Sequence, residues 1–163
     1  MTLGKGQLTF IGGSMGPDLS IVILSWNVRE LLATCLRSLP AAAGDWWEHT
    51  EVLVVDNASA DGSTEMVRRD FPGARLVALP RNLGFSGGNN AGIRAAQGKY
   101  VLLLNPDTVA RPGSITTLAE YMEAHETSGI VGPRLLNPDG SMQPSRRRFP
   151  TPLTALVEST PLQ

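Results

Sequence analysis

Leu19-Ser20-Ile21-Val22-Ile23-Leu24 runs directly into Ser25-Trp26-Asn27. The six-residue run is aliphatic apart from one serine and does not alternate with polar residues. Such a run reads as a strand covered on both faces, the kind a parallel sheet carries between layers of helices. The pattern returns at Glu51–Asp56 (EVLVVD), more briefly at Arg75–Leu79, and most apolar of all at Tyr100–Leu104 (YVLLL). Helical segments lie between these runs. Asn27 is placed to cap a helix carrying Leu31, Leu32, Cys35, Leu36 and Leu39, with Pro40 and Ala41–Gly44 expected to end it. Asp61 or Ser63 opens a second helix, reaching Asp70. A glycine loop at Gly84–Gly88 precedes a third, Asn89–Ala96, which Gly98 ends. A fourth, Gly113–His125, sets Ile115, Leu118, Ala119 and Met122 on one face. Ile130–Val131 reads as a further short strand, and Leu135–Met142, around Asn137-Pro138-Asp139-Gly140, as a β-hairpin. Strands and helices alternating at this spacing imply an α/β fold, a mainly parallel sheet with right-handed crossovers.

Composition narrows the function classes. The chain has 163 residues, 42% hydrophobic and 18% charged, which suits one domain or part of one and excludes wholesale disorder. Fourteen Lys and Arg against fifteen Asp and Glu leave a net charge of -1, unlike a dedicated nucleic-acid binder. One Cys and two distant His argue against a disulfide framework, a cysteine zinc site or a histidine metal cluster, and suit a reducing compartment. No apolar run approaches the ~18–20 residues that span a bilayer. Met1–Gly16 is glycine-rich and lacks the apolar core of a secretory signal, so it reads as a flexible extension ahead of a domain over 17–163. Leu8–Ile11 is a weak candidate edge strand there, and Met15 a plausible alternative start.

Polar residues collect where the strands end. In an open parallel sheet, ligands bind in the crevice beyond the carboxyl ends of the strands. Those ends carry Ser25-Trp26-Asn27, Asp56-Asn57, Arg81-Asn82 and Asn105-Pro106-Asp107. Each has an ordinary use as a turn or helix cap; four together favour a ligand rim. Asp107, stiffened by Pro106, suits a hard divalent cation, Mg2+ or Mn2+, which takes one or two protein carboxylates and completes its shell with water and phosphates. The same residue also suits a plain Asn-Pro-Asp turn capping the next helix. Asp56 and Asn57 offer an acceptor and an amide to the N–H and C=O groups of a pyrimidine. Trp26 offers a face on which a base stacks, worth ~1–3 kcal/mol, or serves packing alone. The glycines at 84, 87, 88 and 92 let backbone N–H groups approach an anion at a helix start. No G-x-G-x-x-G follows the first strand and no P-loop occurs, which argues against dehydrogenase and NTPase readings.

Ser20–Asn27 (SIVILSWN), Val54–Ser63 (VVDNASADGS), Arg81–Ile93 (RNLGFSGGNNAGI) and Leu102–Thr108 (LLLNPDT) together resemble the inverting family 2 glycosyltransferases, particularly the rhamnosyltransferase-like branch. Gln143, Ser145, Arg147, Arg148, Phe149 and Pro150 match a later part of the same pattern, so the resemblance spans nearly all of residues 19–160. It implies a GT-A fold, the Rossmann-like sheet with flanking helices of nucleotide-diphospho-sugar transferases, here incomplete at the C-terminus. It also implies a dTDP- or UDP-sugar donor, possible rhamnose transfer to a glycan or lipid-linked acceptor, and a role in cell-wall or polysaccharide biosynthesis. Carried over position by position, Ser25, Trp26, Asn27, Asp56 and Asn57 would hold base and ribose. Asn82, Gly84 and Asn90 would line the nucleotide side. Asn105 and Asp107 would occupy the D-x-D position, with Asp107 on the metal at the diphosphate. An Asn at the first D-x-D position removes one negative charge. The resemblance places the catalytic base beyond Gln163, so a missing half or partner chain is implied, and a non-catalytic nucleotide-sugar-binding module is the alternative. It further implies an exposed apolar face for the absent half to cover and a cytoplasmic location. Arg146-Arg147-Arg148 suits a solvated loop or a weak peripheral contact with an anionic membrane.

Overall fold

A computed structural model describes residues 16–144. Residues 1–15, with the Leu8–Ile11 and Met15 expectations, and the segment from Ser145 on, with the arginine run, therefore lie outside the described residues. The described residues fall into two units, 16–129 and 130–144.

The first unit is built as β1 (Leu19–Ser25), α1 (Arg29–Ala43), a 3-10 segment (Gly44–His49), β2 (Thr50–Asp56), α2 (Ser63–Asp70), β3 (Arg75–Ala78), α3 (Gly84–Ala95), β4 (Tyr100–Leu104) and α4 (Ser114–Ala124). The four strands form one sheet in the order β3-β2-β1-β4, every pair parallel. β1 and β2 pair along their whole lengths, from Leu19–Thr50 to Ser25–Asp56. Burial on both faces explains their unbroken apolar runs. On one side Ile21, Ile23 and Val54 meet Leu32, Leu36 and Leu39 of α1, Met66 and Val67 of α2, and Ile115 of α4. On the other, Val22, Leu53 and Val55 are covered by Ala91 and Ala95 of α3. Burying each such side chain contributes about 1.5–3 kcal/mol. β4, the most apolar run, lies at the edge of the described sheet with Val101 and Leu103 exposed.

The glycines of α3 have a packing purpose. A Cβ on Gly92 would stand 2.3 Å from Val22 Cγ1, and one on Gly88 2.3 Å from Leu24 Cδ1. The helix lies so close to the sheet that those two positions admit no side chain. Two of the four glycines read as a ligand cradle therefore serve helix–sheet contact.

Several local expectations are corrected. Pro40 does not itself end α1, which continues to Ala43; the end falls within the expected Ala41–Gly44 stretch, with Gly44 as the C-cap. Its last turn is held from outside: Gly113 N–H donates to Ala41 O (3.0 Å) and Thr116 Oγ1 to Ala43 O (2.8 Å), while Ala42 and Ala43 are fully buried. Tertiary bonds satisfy the end carbonyls and outweigh the one N–H that proline lacks. Leu31 faces outward and Ala33 is buried instead. Asn27 does not cap α1; the N-cap is Val28, and Asn27 adopts a left-handed φ of 53°. α3 begins at Gly84, so the expected glycine loop is its first turn. Ile130–Val131 is not a strand, and Ile130 is 94% exposed. The hairpin expectation holds: Leu136 and Met142 form an antiparallel bridge, with Gly140 at φ 84° in the turn.

Candidate functional site

Topology decides where a ligand can sit. From β1 the chain moves outward through β2 to β3, then crosses back to lay β4 on the other side of β1. The strand order reverses between β1 and β4, and crevices open at such switch points beyond the carboxyl ends. The Ile23–Leu104 pair closes the β1–β4 ladder, and Asn105-Pro106-Asp107 follows at once. Ser25-Trp26-Asn27 extends from β1 on the facing side, and Asp56-Asn57 from β2 beyond it.

The tips of β1 and β2 are tied together. Asn57 N–H donates to Ser25 O (2.9 Å), Asn27 N–H to Ser59 Oγ (3.0 Å), and Ala60 N–H to Asn27 Oδ1 (2.8 Å). Asn27 thus pins one tip to the other. Ala58, at φ 63°, is the second non-glycine residue in the left-handed region, so both tips hold unfavourable backbone. Beneath them lies an unmet polar pair. Ser25 and Asp56 face each other in register, 0% and 3% exposed. Asp56 Oδ2 accepts from Ser59 N–H (3.0 Å), but Asp56 Oδ1 and Ser25 Oγ have no hydrogen-bond partner among the described residues. Unpaired buried polar atoms cost about 1–3 kcal/mol each, a demand that a ligand can meet.

Asn57 takes a different part from the base-reading amide expected of it. It is 3% exposed and engaged throughout. Its Nδ2 donates to Asn82 Oδ1 (2.9 Å) and Gly84 O (3.4 Å), and its Oδ1 accepts from Leu83 N–H (2.8 Å). Asn82 Oδ1 also accepts from Gly84 N–H (2.7 Å). Asn57 and Asn82 are therefore a clasp fastening the start of α3 to β2. Asn90 is exposed, two positions beyond the sheet-facing Gly88 and so on the opposite side of α3 from it. Its neighbour Asn89 is buried, its Nδ2 donating to Phe85 O (2.9 Å). Trp26 is 54% exposed, a free aromatic face at the rim.

Asp61, expected to cap α2, joins two helices. Its Oδ2 accepts from Arg29 N–H at the start of α1 (2.8 Å), its Oδ1 from Ser63 N–H (3.0 Å) and Ser63 Oγ (2.5 Å). Burial works against its charge, but the bonds from Ser63 and Arg29 outweigh it and hold the carboxyl below its ordinary value. An open depression of about 410 Å³ lies here, lined by Asn27, Val28, Arg29, Glu30, Leu31 and Asp61. Of these only Asn27 was singled out for a ligand. The D-G-S turn signalled a helix start, but nothing local showed that its Asp reaches α1.

Asp107 sits in an irregular turn, with Thr108 N–H bonded to Asn105 O (3.2 Å). The Asn105 and Asp107 side chains are exposed and make no hydrogen bond or ion pair among the described residues. The Cys35 thiol, behind the turn on α1, is pushed up to about 11, by burial first and by the Asp107 charge second, and stays protonated. No three His, Cys, Asp or Glu gather as a ligand set among the described residues. One free carboxylate beside an amide does fit a hard cation that draws its remaining oxygens from a phosphate-bearing ligand and water. It does not fit a cation held by protein alone.

The fold is GT-A. TarS of S. aureus, solved in complex with UDP, superposes with a TM-score of 0.61 at 21% identity, covering 72% of this chain and 38% of that one. A mannosyltransferase from Pyrobaculum calidifontis, solved with GDP-Man and Mn2+, gives a TM-score of 0.58 at 24% identity, covering 77% and 37%. Residues 20–161 match the model of glycosyl transferase family 2, and the chain belongs to that family. Among curated relatives, the N-acetylglucosaminyl-diphospho-decaprenol L-rhamnosyltransferase of Mycobacterium tuberculosis is 30% identical over 145 residues, 82% of this chain and 46% of that protein. The succinoglycan biosynthesis protein ExoO of Rhizobium meliloti is 35% identical over 109 residues, 66% and 30%. The chain thus spans less than half the length of these relatives. No helix among the described residues is long and apolar enough to cross a membrane.

Proposed function

We propose that this chain binds the donor in a glycosyltransferase that moves a sugar, rhamnose by its likeness to the decaprenol-linked rhamnosyltransferase, from a dTDP- or UDP-sugar to a glycan or lipid-linked acceptor with inversion. The observation that carries the reading is the β1/β4 switch point, which sets the unpaired Asp107 carboxylate across from the Ser25–Asn27 tip. The relative that acts on a decaprenol-linked acceptor, and the structural neighbours holding UDP and GDP-Man with Mn2+, support the choice of ligands.

In this reading Trp26 stacks on the pyrimidine and the Asp56 carboxylate accepts its ring N–H. Asp56 Oδ1 is shielded from solvent, so the base reaches it only when the rim above shifts. The left-handed Asn27 and Ala58, costing about 1–3 kcal/mol each, mark where that shift is cheapest. Asn57 and Asn82 act one layer back, fixing Leu83 and Gly84 along the nucleotide. Asp107, with Asn105 beside it, would hold Mg2+ or Mn2+. When bound, the cation stabilises charge growing on the departing diphosphate.

Thermal denaturation tests this. Uridine or thymidine diphosphate with Mn2+, at 100 times its dissociation constant, is expected to stabilise by ~2.7 kcal/mol. For a chain of this size that raises Tm by about 5–10 °C. Mn2+ alone is expected to give no shift, and Asp107→Ala to remove the metal-dependent part. An equal shift with NAD would overturn the reading.

A further inference from the structure

We infer that Ser38, on α1, is the positioning residue that sets where the Asp107 carboxylate stands; this rests on the reading of Asp107 given above. The segment between β4 and α4 has no regular structure, so its own ladder cannot hold it. It is strapped along one helix instead. Ahead of Asp107, the Cys35 thiol lies 3.7 Å from Asn105 O as a weak donor. After Asp107, Ala110 N–H donates to Ser38 Oγ at 3.0 Å. The Ser38 hydroxyl in turn donates to Cys35 O at 2.6 Å, so its proton is committed and its lone pair is aimed at Ala110. Further on, Gly113 N–H reaches Ala41 O.

The two anchors are unequal. A thiol at that distance is a weak bond, whereas the Ala110 N–H to Ser38 Oγ bond has ordinary hydrogen-bond length and its acceptor is oriented by the helix carbonyl. Ala110 also packs against the main core, so the far end of the turn is seated twice. Asp107 is exposed and its side chain holds no partner among the described residues, so the backbone on either side, by placing its Cβ, sets the region its oxygens can reach. Removing the Ser38 hydroxyl leaves Ala110 held by its core packing alone, so the far side of the turn loosens while the sheet and α1 keep their packing.

The test is calorimetric titration of the full chain with uridine diphosphate, in Mn2+ and again in EDTA, the ratio of the two affinities being the metal gain. Ser38→Ala is expected to cut that gain about fivefold, the size of one lost hydrogen bond, and to leave the EDTA affinity unchanged. Ser38→Thr, which keeps the hydroxyl, is expected to restore it. Cys35→Ala, which removes the weaker anchor, is expected to cut it less and stands in if Ser38→Ala does not fold. Equal weakening with and without metal, or a gain that neither variant changes while Asp107→Asn abolishes it, would overturn the positioning role and leave the reading of Asp107 standing. A gain that survives Asp107→Asn would overturn that reading and the inference with it.

Discussion

At the residue scale, Asp61 shows how one carboxylate does the work of two caps. It accepts the first N–H of α1 and the first N–H of α2, whose own N-cap positions, Val28 and Gly62, offer no side-chain bond. Asp61→Ala is expected to destabilise by about 1–2 kcal/mol, the usual loss for a helix cap, and to lower Tm by roughly 3–6 °C. The effect depends on pH in a definite sense. Its folded-state carboxyl titrates below the unfolded value of about 4, so its stabilisation is complete above that value. It is lost as pH falls through the folded-state value. Melting curves of both proteins from neutral pH into acid should therefore converge, and a gap that stays constant to the most acid point would refute the assignment. The sequence showed Asp61 as a capping residue; its bond to Arg29, far away in the chain, was invisible there.

At the scale of elements, the pairing of α3 with the sheet is the tightest fit in the fold. Ala has the higher helix propensity by about 1 kcal/mol, so an isolated α3 would gain from Gly92→Ala. Here the added methyl meets Val22 and Val55, both fully buried, at 2.3 and 2.9 Å, and overpacking of this kind costs about 1–3 kcal/mol. Denaturant unfolding is expected to show net destabilisation of Gly92→Ala, whereas Gly73→Ala, whose Cβ has nothing within 4 Å, should be neutral or slightly stabilising. A stabilised Gly92→Ala would mean that α3 does not lie against β1 and β2 as described. Strand and helix identities were readable because burial on two faces leaves an uninterrupted apolar run. The start of α3 was not, because its glycines read as a loop until the sheet lay beneath them.

For the whole molecule, the two ends of the sheet have opposite characters. At the amino ends, Ser20 Oγ donates to Glu51 Oε1 (2.5 Å) and accepts from Gly98 N–H (2.8 Å), while Gln97 N–H donates to the same Glu51 oxygen (2.6 Å). This is a satisfied network joining β1, β2 and the turn into β4. At the carboxyl ends lie the unpaired Ser25 and Asp56 atoms, two left-handed residues and the free Asp107. Hydrogen exchange with and without uridine diphosphate and Mn2+ is expected to gain protection at 25–27, 56–60 and 105–110, with none at 97–99. Protection confined to the amino ends would put the ligand on the wrong side of the sheet.

The sequence by itself determined the α/β class, the four strands and the set of polar residues at their carboxyl ends. Those properties follow from local periodicity and from motifs whose residues are neighbours in the chain. Only the tertiary structure decided that β4 returns beside β1, which makes the crevice. It also turned Asn57 into a clasp and carried α1 past Pro40 on bonds from Gly113 and Thr116. The physical reason is common to all three: a buried N–H, carbonyl or amide must find a partner, and here that partner lies dozens of residues away, where no local pattern records it.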